Sequence, residues 1–246
     1  MGKLYAVGFG PGGYEHMTAK AIDVIKNADV ITGYTTYVEM LKKIFPDKEY
    51  VATPMTKEMD RCRMAVDLAA EGKTVAMVSS GDSGIYGMAG ILLEIANEKK
   101  ADVEIETVPG VTAAMGGAAV LGAPLGHDCC LISLSDLLTP WELIEKRLRA
   151  AAQADFLIAL YNPSSKKRKD YLARACDILL EYKEESIICG IVRNIAREEE
   201  SMNILTLKEL RNTEVDMFST VYIGNKMTKI IKHKMVTPRG YRYDRK

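Results

Sequence analysis

Along the first half of the chain, hydrophobic positions alternate between two rhythms. Short β-rich runs at residues 4–7, 30–32, 74–79 and 103–108 are each followed by an amphipathic stretch, at 18–27, 37–44, 85–97 and 111–121. This alternation predicts an α/β fold. Within 18–27, Thr18 can cap free amides while Ala21, Ile22, Val24 and Ile25 form an apolar face, which leaves residues 8–17 as a loop at the end of the first strand. Loops at the carboxyl ends of such strands are where open α/β sheets bind ligands.

The run Gly122-Ala123-Pro124-Leu125-Gly126 offers neither helix nor strand propensity and marks the best boundary. After it come β-rich runs at 130–134, 156–161, 187–192, 202–205 and 219–223, with helices expected at 140–152 and 168–181. The pattern predicts an N-terminal lobe at 1–121, a linker at 122–127 and a C-terminal lobe at 128–246, with a cleft between the two α/β lobes. No internal repeat or low-complexity segment interrupts it.

A chain of 246 residues with 48% hydrophobic and 27% charged residues can bury a core and is not disordered. Its 33 basic and 33 acidic residues balance, but unevenly along the chain. The segment before Lys226 holds 25 basic and 32 acidic residues, whereas the last 21 residues hold 8 basic residues and only Asp244 as an acid. A short basic tail on an acidic body argues against a nucleic-acid surface. The five cysteines form no C-x-x-C pair, so neither a disulfide framework nor a zinc knuckle is expected, and a reducing cytoplasm suits them. No secretory leader is expected. The uncharged stretch 107–126 contains Pro109, Pro124 and five glycines, and reads as a tightly packed small-residue helix, not a membrane span.

Three strand-to-helix junctions carry the candidate chemistry. Gly8-Phe9-Gly10-Pro11-Gly12-Gly13 fits the spacing of a dinucleotide fingerprint, but Pro11 has no amide for a pyrophosphate, and the run Val30-Ile31-Thr32-Gly33 lacks the ribose-binding carboxylate. Ser79-Ser80-Gly81-Asp82-Ser83-Gly84 resembles the nucleophile segment of trypsin-like proteases, yet His16, His127 and His233 lack the flanking residues of such a triad and α/β alternation is wrong for two β-barrels. Val108-Pro109-Gly110-Val111-Thr112-Ala113 is the third. Three glycine-rich strand ends on one lobe point to a small-molecule site.

These residues also carry a resemblance. Val7-Gly-Phe-Gly-Pro-Gly12, Ser80-Gly-Asp-Ser-Gly-Ile-Tyr86 and Pro109-Gly-Val-Thr-Ala113 resemble the ordered loops of the tetrapyrrole (corrin/porphyrin) methyltransferase family. Four further motifs, Ile132-Ser-Leu-Ser-Asp-Leu-Leu-Thr-Pro-Trp141, Leu160-Tyr-Asn-Pro-Ser164, Gly190-Ile-Val-Arg-Asn194 and Val236-Thr-Pro-Arg-Gly-Tyr241, resemble its precorrin-3B C17-methyltransferase (cobalt-factor III methyltransferase) branch. The chain departs from the family where Gly-Asp-Pro reads Gly81-Asp82-Ser83, and where two hydroxyl residues read Thr112-Ala113.

The resemblance implies S-adenosylmethionine as methyl donor, with S-adenosylhomocysteine as product and no protein-bound metal. It implies cofactor contacts at Pro11, Gly81, Asp82, Ile85, Thr112 and Ala113 in the first lobe, and at Asn162 and the segment around Asn194-Ile195 in the second. It further implies a tetrapyrrole partner (precorrin-3B or cobalt-factor III), methylated at C17 with ring contraction, and a homodimer. Contraction moves protons, which makes Asp136 a catalytic candidate, with His127 behind it; Asp136 equally suits a capping role before the helix at 140–152. Trp141 is either a pocket wall or a core anchor. Lys229, Lys232 and Lys234 read as a solvated run, whereas Arg239 and Arg242, interleaved with Pro238, Gly240 and Tyr241, suit an ordered loop that could clamp substrate carboxylates. Arg168, within the Lys166–Lys169 basic run before a helix, is a third substrate candidate. Two alternatives stay open: a sibling methyltransferase acting at another ring position, and a non-catalytic nucleotide-binding module.

Overall fold

The structure is a computed structural model that describes residues 2–165 and 167–241. It divides into two compact units, Met1–Ala113 and Ala114–Lys246.

The first unit contains β1 (Gly2–Gly8), α1 (Ala19–Asn27), β2 (Val30–Tyr34), α2 (Thr35–Lys42), β3 (Glu49–Thr53), α3 (Glu58–Ala70), β4 (Thr74–Ser79), α4 (Ala89–Lys99) and β5 (Val103–Val108). All five strands are parallel, in the order β3-β2-β4-β1-β5. Alternation along a strand sends neighbouring side chains to opposite faces. Val75 and Met77 of β4 accordingly meet Cys62 and Val66 of α3 and Leu92 of α4. Ala76 and Val78 meet Val24 and Ile25 of α1 and Leu41 of α2 on the other face. Helix α1 starts where its cap residue sits: Thr18 Oγ1 accepts from the Ala21 amide at 3.1 Å.

The second unit contains α5 (Ala113–Leu121), β6 (Gly122–Ala123), β7 (Cys129–Ser133), α6 (Trp141–Gln153), β8 (Leu157–Tyr161), α7 (Tyr171–Leu180), β9 (Ile188–Arg193), β10 (Ser201–Thr206), α8 (Leu207–Arg211), β11 (Ser219–Ile223), β12 (Lys229–Ile231) and β13 (Lys234–Val236). Its first residue, Ala113, falls in the first unit by contacts. The main sheet runs β10-β9-β11-β8-β7 and is mixed: β7 and β8 are parallel, and β11 runs against both β8 and β9. One face is covered by α6, α7 and α8, through residues such as Leu148, Leu179 and Leu210. Against the other, a Cβ on Gly190 would come 2.6 Å from Leu121 of α5 and 3.2 Å from Met235 of β13, so the bare glycine admits that layer.

The stretch at 122–127, expected to join the lobes, contributes β6, which pairs with β13 in a small three-stranded sheet. Lys229 and Lys234, expected in a solvated run, lie on the β12–β13 hairpin. Its two-residue turn, Lys232-His233, has positive φ at both positions (48° and 62°). The uncharged 107–126 stretch holds only a nine-residue helix, and among the described residues no helix is long and apolar enough to cross a membrane.

Candidate active site

Because the strands of the first sheet are parallel, the loops after β1, β4 and β5 leave from one edge. The loop after β1 leads to α1 on one face and the loop after its neighbour β4 leads to α4 on the other. Such a divergence of adjacent loops is where α/β sheets open a binding crevice. Here the main chains of the loops come together directly. Gly10 and Gly81 exchange hydrogen bonds, the Gly10 amide donating to Gly81 O at 3.0 Å and the Gly81 amide to Gly10 O at 2.8 Å. A Cβ on Gly8 would lie 2.7 Å from Gly81 O and 2.8 Å from Gly110 N, and one on Gly110 only 2.2 Å from Gly81 O. Both must be glycine for the loops to meet.

Asp82 fastens the arrangement. Its Oδ1 accepts from the Gly84 and Ile85 amides (2.8 and 3.0 Å) and its Oδ2 from the Gly110 amide (2.9 Å), so one carboxylate shapes its own loop and ties it to the loop after β5. Buried Ser83 donates through Oγ to Val108 O at 3.1 Å, a bond that a proline in its place could not make. Next to this, a Cβ on Gly81 would make only ordinary contacts, the nearest with Ala113 N and Thr112 Cα at 3.7 Å. The loops therefore gather Pro11, Gly81, Asp82, Ile85, Thr112 and Ala113, the six first-lobe cofactor candidates. Pro11 is buried, and Ile85 is exposed.

The charge of this cluster separates ligand classes. Residues 8–17, 79–88 and 108–113 contain no Lys or Arg; their acids are Glu15 and Asp82, and their one histidine, His16, is paired with Glu15 at 3.1 Å. Such a rim offers no counter-ion to a pyrophosphate and suits a neutral or cationic ligand read by main-chain groups and small residues.

In the second unit, β7, β8 and β9 point the same way, so the segments that follow them share an edge. Asn162, after β8, is in the left-handed region (φ 51°), and its Nδ2 donates to Ser133 Oγ at 2.9 Å. After β9, Asn194 is also left-handed (φ 53°), and Ile195 is buried near Gly117 of α5. Two phenols clamp the first turn of α5: the Ala114 amide donates to Tyr161 Oη at 2.9 Å, and Tyr222 Oη donates to Ala114 O at 3.0 Å. Burial pushes the Tyr222 hydroxyl pKa strongly upward and keeps it a donor.

Asp136 and Arg168 are brought together. Asp136 accepts from Tyr171 Oη at 2.6 Å and from Arg168 Nη1 at 3.2 Å, and Arg168 also donates to Ser135 and Ser165. The Tyr171 hydrogen bond, with Arg168 adding to it, holds the Asp136 carboxyl below its ordinary range. Asp136 does not cap α6, whose N-cap is Pro140. Trp141 is an anchor: its ring lies 4.5 Å from that of Tyr171, with the Arg174 guanidinium 4.1 Å from the indole centroid. His127 and Arg239 are exposed, Gly240 beside Arg239 has φ 82°, and Arg242 lies outside the described residues. Among the described residues, no group of three or more His, Cys, Asp or Glu could hold a metal ion.

The profile of the Tetrapyrrole (Corrin/Porphyrin) Methylases matches residues 3–211. The chain belongs to this family. It is 47% identical over 238 residues to the "Probable cobalt-factor III C(17)-methyltransferase" of Salmonella typhimurium, covering 97% of this chain and 99% of that protein. The cobalt-factor III methyltransferase of Priestia megaterium is also 47% identical over 98% of this chain, which spans 45% of that longer protein. The precorrin-3B C(17)-methyltransferase of Sinorhizobium sp is 40% identical, over 98% of this chain and 97% of that one. Among solved structures, the methyltransferase CobJ matches with a TM-score of 0.90 and 37% identity, over 97% of this chain and 100% of that one. A uroporphyrin-III C-methyl transferase from Thermus thermophilus, complexed with S-adenyl homocysteine, shares the fold with a TM-score of 0.70 and 21% identity, over 91% and 92% of the two chains.

Family membership makes the glycine-knitted loops those of a methyltransferase. Sequence reasoning found these loops but missed Tyr161, Tyr222 and Tyr171, which position α5 and the loop at 134–140. Tyr161 and Tyr222 stand in apolar runs and look like core residues, Tyr171 follows a charged run, and only the fold shows which group each phenol reaches.

Proposed function

We propose that the protein transfers a methyl group from S-adenosylmethionine to C17 of a corrinoid precursor, with ring contraction to cobalt-precorrin-4 or precorrin-4, in cobalamin biosynthesis. The observation that carries this reading is the 47% identity, over 97% of the chain, to a relative named as a cobalt-factor III C(17)-methyltransferase. The identity of 40% to the precorrin-3B enzyme is lower, which favours the cobalt-bearing substrate.

The first-unit loops fit this cofactor. Three glycine contacts keep side chains out of the junction, and a rim without Lys or Arg accommodates a positive sulfonium. Bound S-adenosylmethionine supplies an electrophilic methyl group. Pro11, Gly81, Asp82, Ile85, Thr112 and Ala113 are the first-unit residues that hold it. The chain's contribution to rate is alignment: loops locked by Gly10–Gly81 and Asp82–Gly110 hydrogen bonds hold one geometry without reorganisation. Arg239 and Arg242 orient substrate carboxylates, with Arg168 behind them, and Asp136 or His127 handles the proton movements of contraction. A homodimer in the cytoplasm completes the reading.

Titration with S-adenosylhomocysteine, NAD and ATP tests the cofactor: tight nucleotide binding without S-adenosylhomocysteine binding would support the non-catalytic module instead. Side-by-side turnover of precorrin-3B and cobalt-factor III, with mass and NMR analysis of the product, tests the reaction. An added methyl without ring contraction would reassign the protein to another ring position.

A further inference from the structure

Two cationic side chains are buried among the described residues, Arg61 and Lys183. A buried charge is costly unless it is paired. Lys183 of the second unit has its counter-ion, Asp155 at 2.8 Å, and also donates to Phe156 O and Gly224 O. Arg61 of the first unit is only 4% exposed and has none. Its Nε donates to Thr53 Oγ1 at 2.7 Å, its Nη2 donates to Pro54 O at 3.1 Å, and its guanidinium lies 5.9 Å from the Tyr34 ring centroid. Among the described residues Nη1 finds no acceptor, and no carboxylate stands within ion-pair distance; the nearby acid Asp60 is paired with Lys57 and Arg63. No fully covered side-chain nitrogen or oxygen lacks a partner, so the free Nη1 keeps its contact with solvent.

Thr53 ends β3 and Tyr34 ends β2, which puts the guanidinium at the sheet edge from which the loops after β1, β4 and β5 also leave. β3 is two strand spacings, about 10 Å, from β4. The loops after β1, β4 and β5 contain no Lys or Arg, so Arg61 brings to this edge a positive charge that they lack.

We propose that Arg61 binds a side-chain carboxylate of the tetrapyrrole substrate, which supplies the missing counter-ion. This rests on the methyltransferase reading above. A guanidinium does not give up its proton, and its planar fork matches a carboxylate. With Nε and Nη2 tied to the end of β3, the group is oriented before the ligand arrives and loses little freedom on binding. A carboxylate held there aligns the macrocycle with the methyl donor on the neighbouring loops.

The test uses the full chain and its Arg61→Gln and Arg61→Lys variants. Binding of cobalt-factor III, and of a derivative with its side-chain carboxylates converted to primary amides, is followed by visible absorbance with S-adenosylhomocysteine saturating. S-adenosylhomocysteine binding is measured separately by calorimetry. The parent is expected to prefer the carboxylate form, and Arg61→Gln to lower that preference about tenfold or more while S-adenosylhomocysteine affinity stays within about twofold. Arg61→Lys keeps the charge without the fork and should fall between the two; it carries the comparison alone if Arg61→Gln does not fold. A role confined to bracing the end of β3 would weaken both forms equally. An unchanged preference in the variants, or an equal loss of S-adenosylhomocysteine binding, would therefore overturn the carboxylate site. A parent protein that fails to bind S-adenosylhomocysteine or cobalt-factor III would overturn the methyltransferase reading itself.

Discussion

The Asp82 carboxylate accepts the Gly110 amide at 2.9 Å across 28 residues of sequence, while its other oxygen holds the Gly84 and Ile85 amides of its own loop. Asn has the same shape, but one of its two terminal atoms is a donor and would face an N–H. Asp82→Asn should therefore cost about 1–3 kcal/mol in a urea unfolding series and weaken S-adenosylhomocysteine binding in calorimetry. A variant with parental stability would show that the carboxylate does not hold the loops.

Gly110 makes the tightest of the loop contacts, since an added Cβ would sit 2.2 Å from Gly81 O, which is backbone and cannot swing aside. Gly110→Ala is expected to cost about 3 kcal/mol or more and to abolish cofactor binding. Gly90 of α4 is the matched control: a Cβ there meets nothing within 4 Å, so Gly90→Ala should gain up to about 1 kcal/mol from helix propensity. Thermal unfolding of the pair, with binding measured at 25 °C, checks both signs.

Much of the fold is legible in the chain because strong apolar runs stand between clear breakers. The β4 run at 74–79, the β5 run at 103–108 and the β11 run at 219–223 coincide with the strands, and Thr18 caps α1 as expected. Strand β3 and helix α3 escape detection: β3 is an edge strand without a fully buried residue, and the buried face of α3 is mainly Cys62, Ala65, Val66 and Ala69, too small to set a strong period. The helix expected at 85–97 begins only at Ala89, because Asp82 bonds the Gly84 and Ile85 amides and Tyr86 turns left-handed. The β12–β13 hairpin hides for another reason. Its turn is Lys-His rather than a glycine-rich pair, so the segment reads as a charge run.

At the second unit's edge, Tyr171 contributes most to holding Asp136 ionised. A carboxyl whose folded pKa is depressed contributes stability that is fully present above its unfolded value, near 3.9, and is lost as pH falls through the folded value. Tyr171→Phe should thus destabilise the protein at neutral pH, and the difference from the parent should vanish in acid below the parent's Asp136 transition. The Asp136 carboxyl resonance should titrate at higher pH in the variant. Asp136→Asn separates chemistry from positioning: slowed turnover with cofactor affinity intact supports a proton-handling role, and unchanged turnover leaves Asp136 as the anchor of its loop.

Gly117 of α5 lies under the buried Tyr222 hydroxyl, 2.3 Å from where a Cβ would be, with Ile195 at 3.0 Å. Alanine would gain up to about 1 kcal/mol from helix propensity but must displace a hydrogen-bonded phenol, at about 1–3 kcal/mol. The second effect should win, giving Gly117→Ala a net loss of about 1–2 kcal/mol. Adding Tyr222→Phe removes the nearest atom, so the double variant should recover part of that loss despite forfeiting the bond to Ala114 O. Additive losses in the two variants would mean that the contact is not the cause.

Arg239 tests what the uneven charge of the chain is for. The segment before Lys226 carries an acidic excess that would repel a polycarboxylate, so a basic residue on the Pro238–Gly240 loop must act locally to favour one. The side chain is exposed, and its attraction should therefore be modest and screened by salt. Arg239→Ala is expected to weaken cobalt-factor III binding about three- to tenfold at low ionic strength and less than twofold near 0.5 M salt, with S-adenosylhomocysteine affinity unchanged at both. A loss independent of salt would point to packing by the arginine stem instead of charge, and equal loss of both ligands would make the loop a general support of the site.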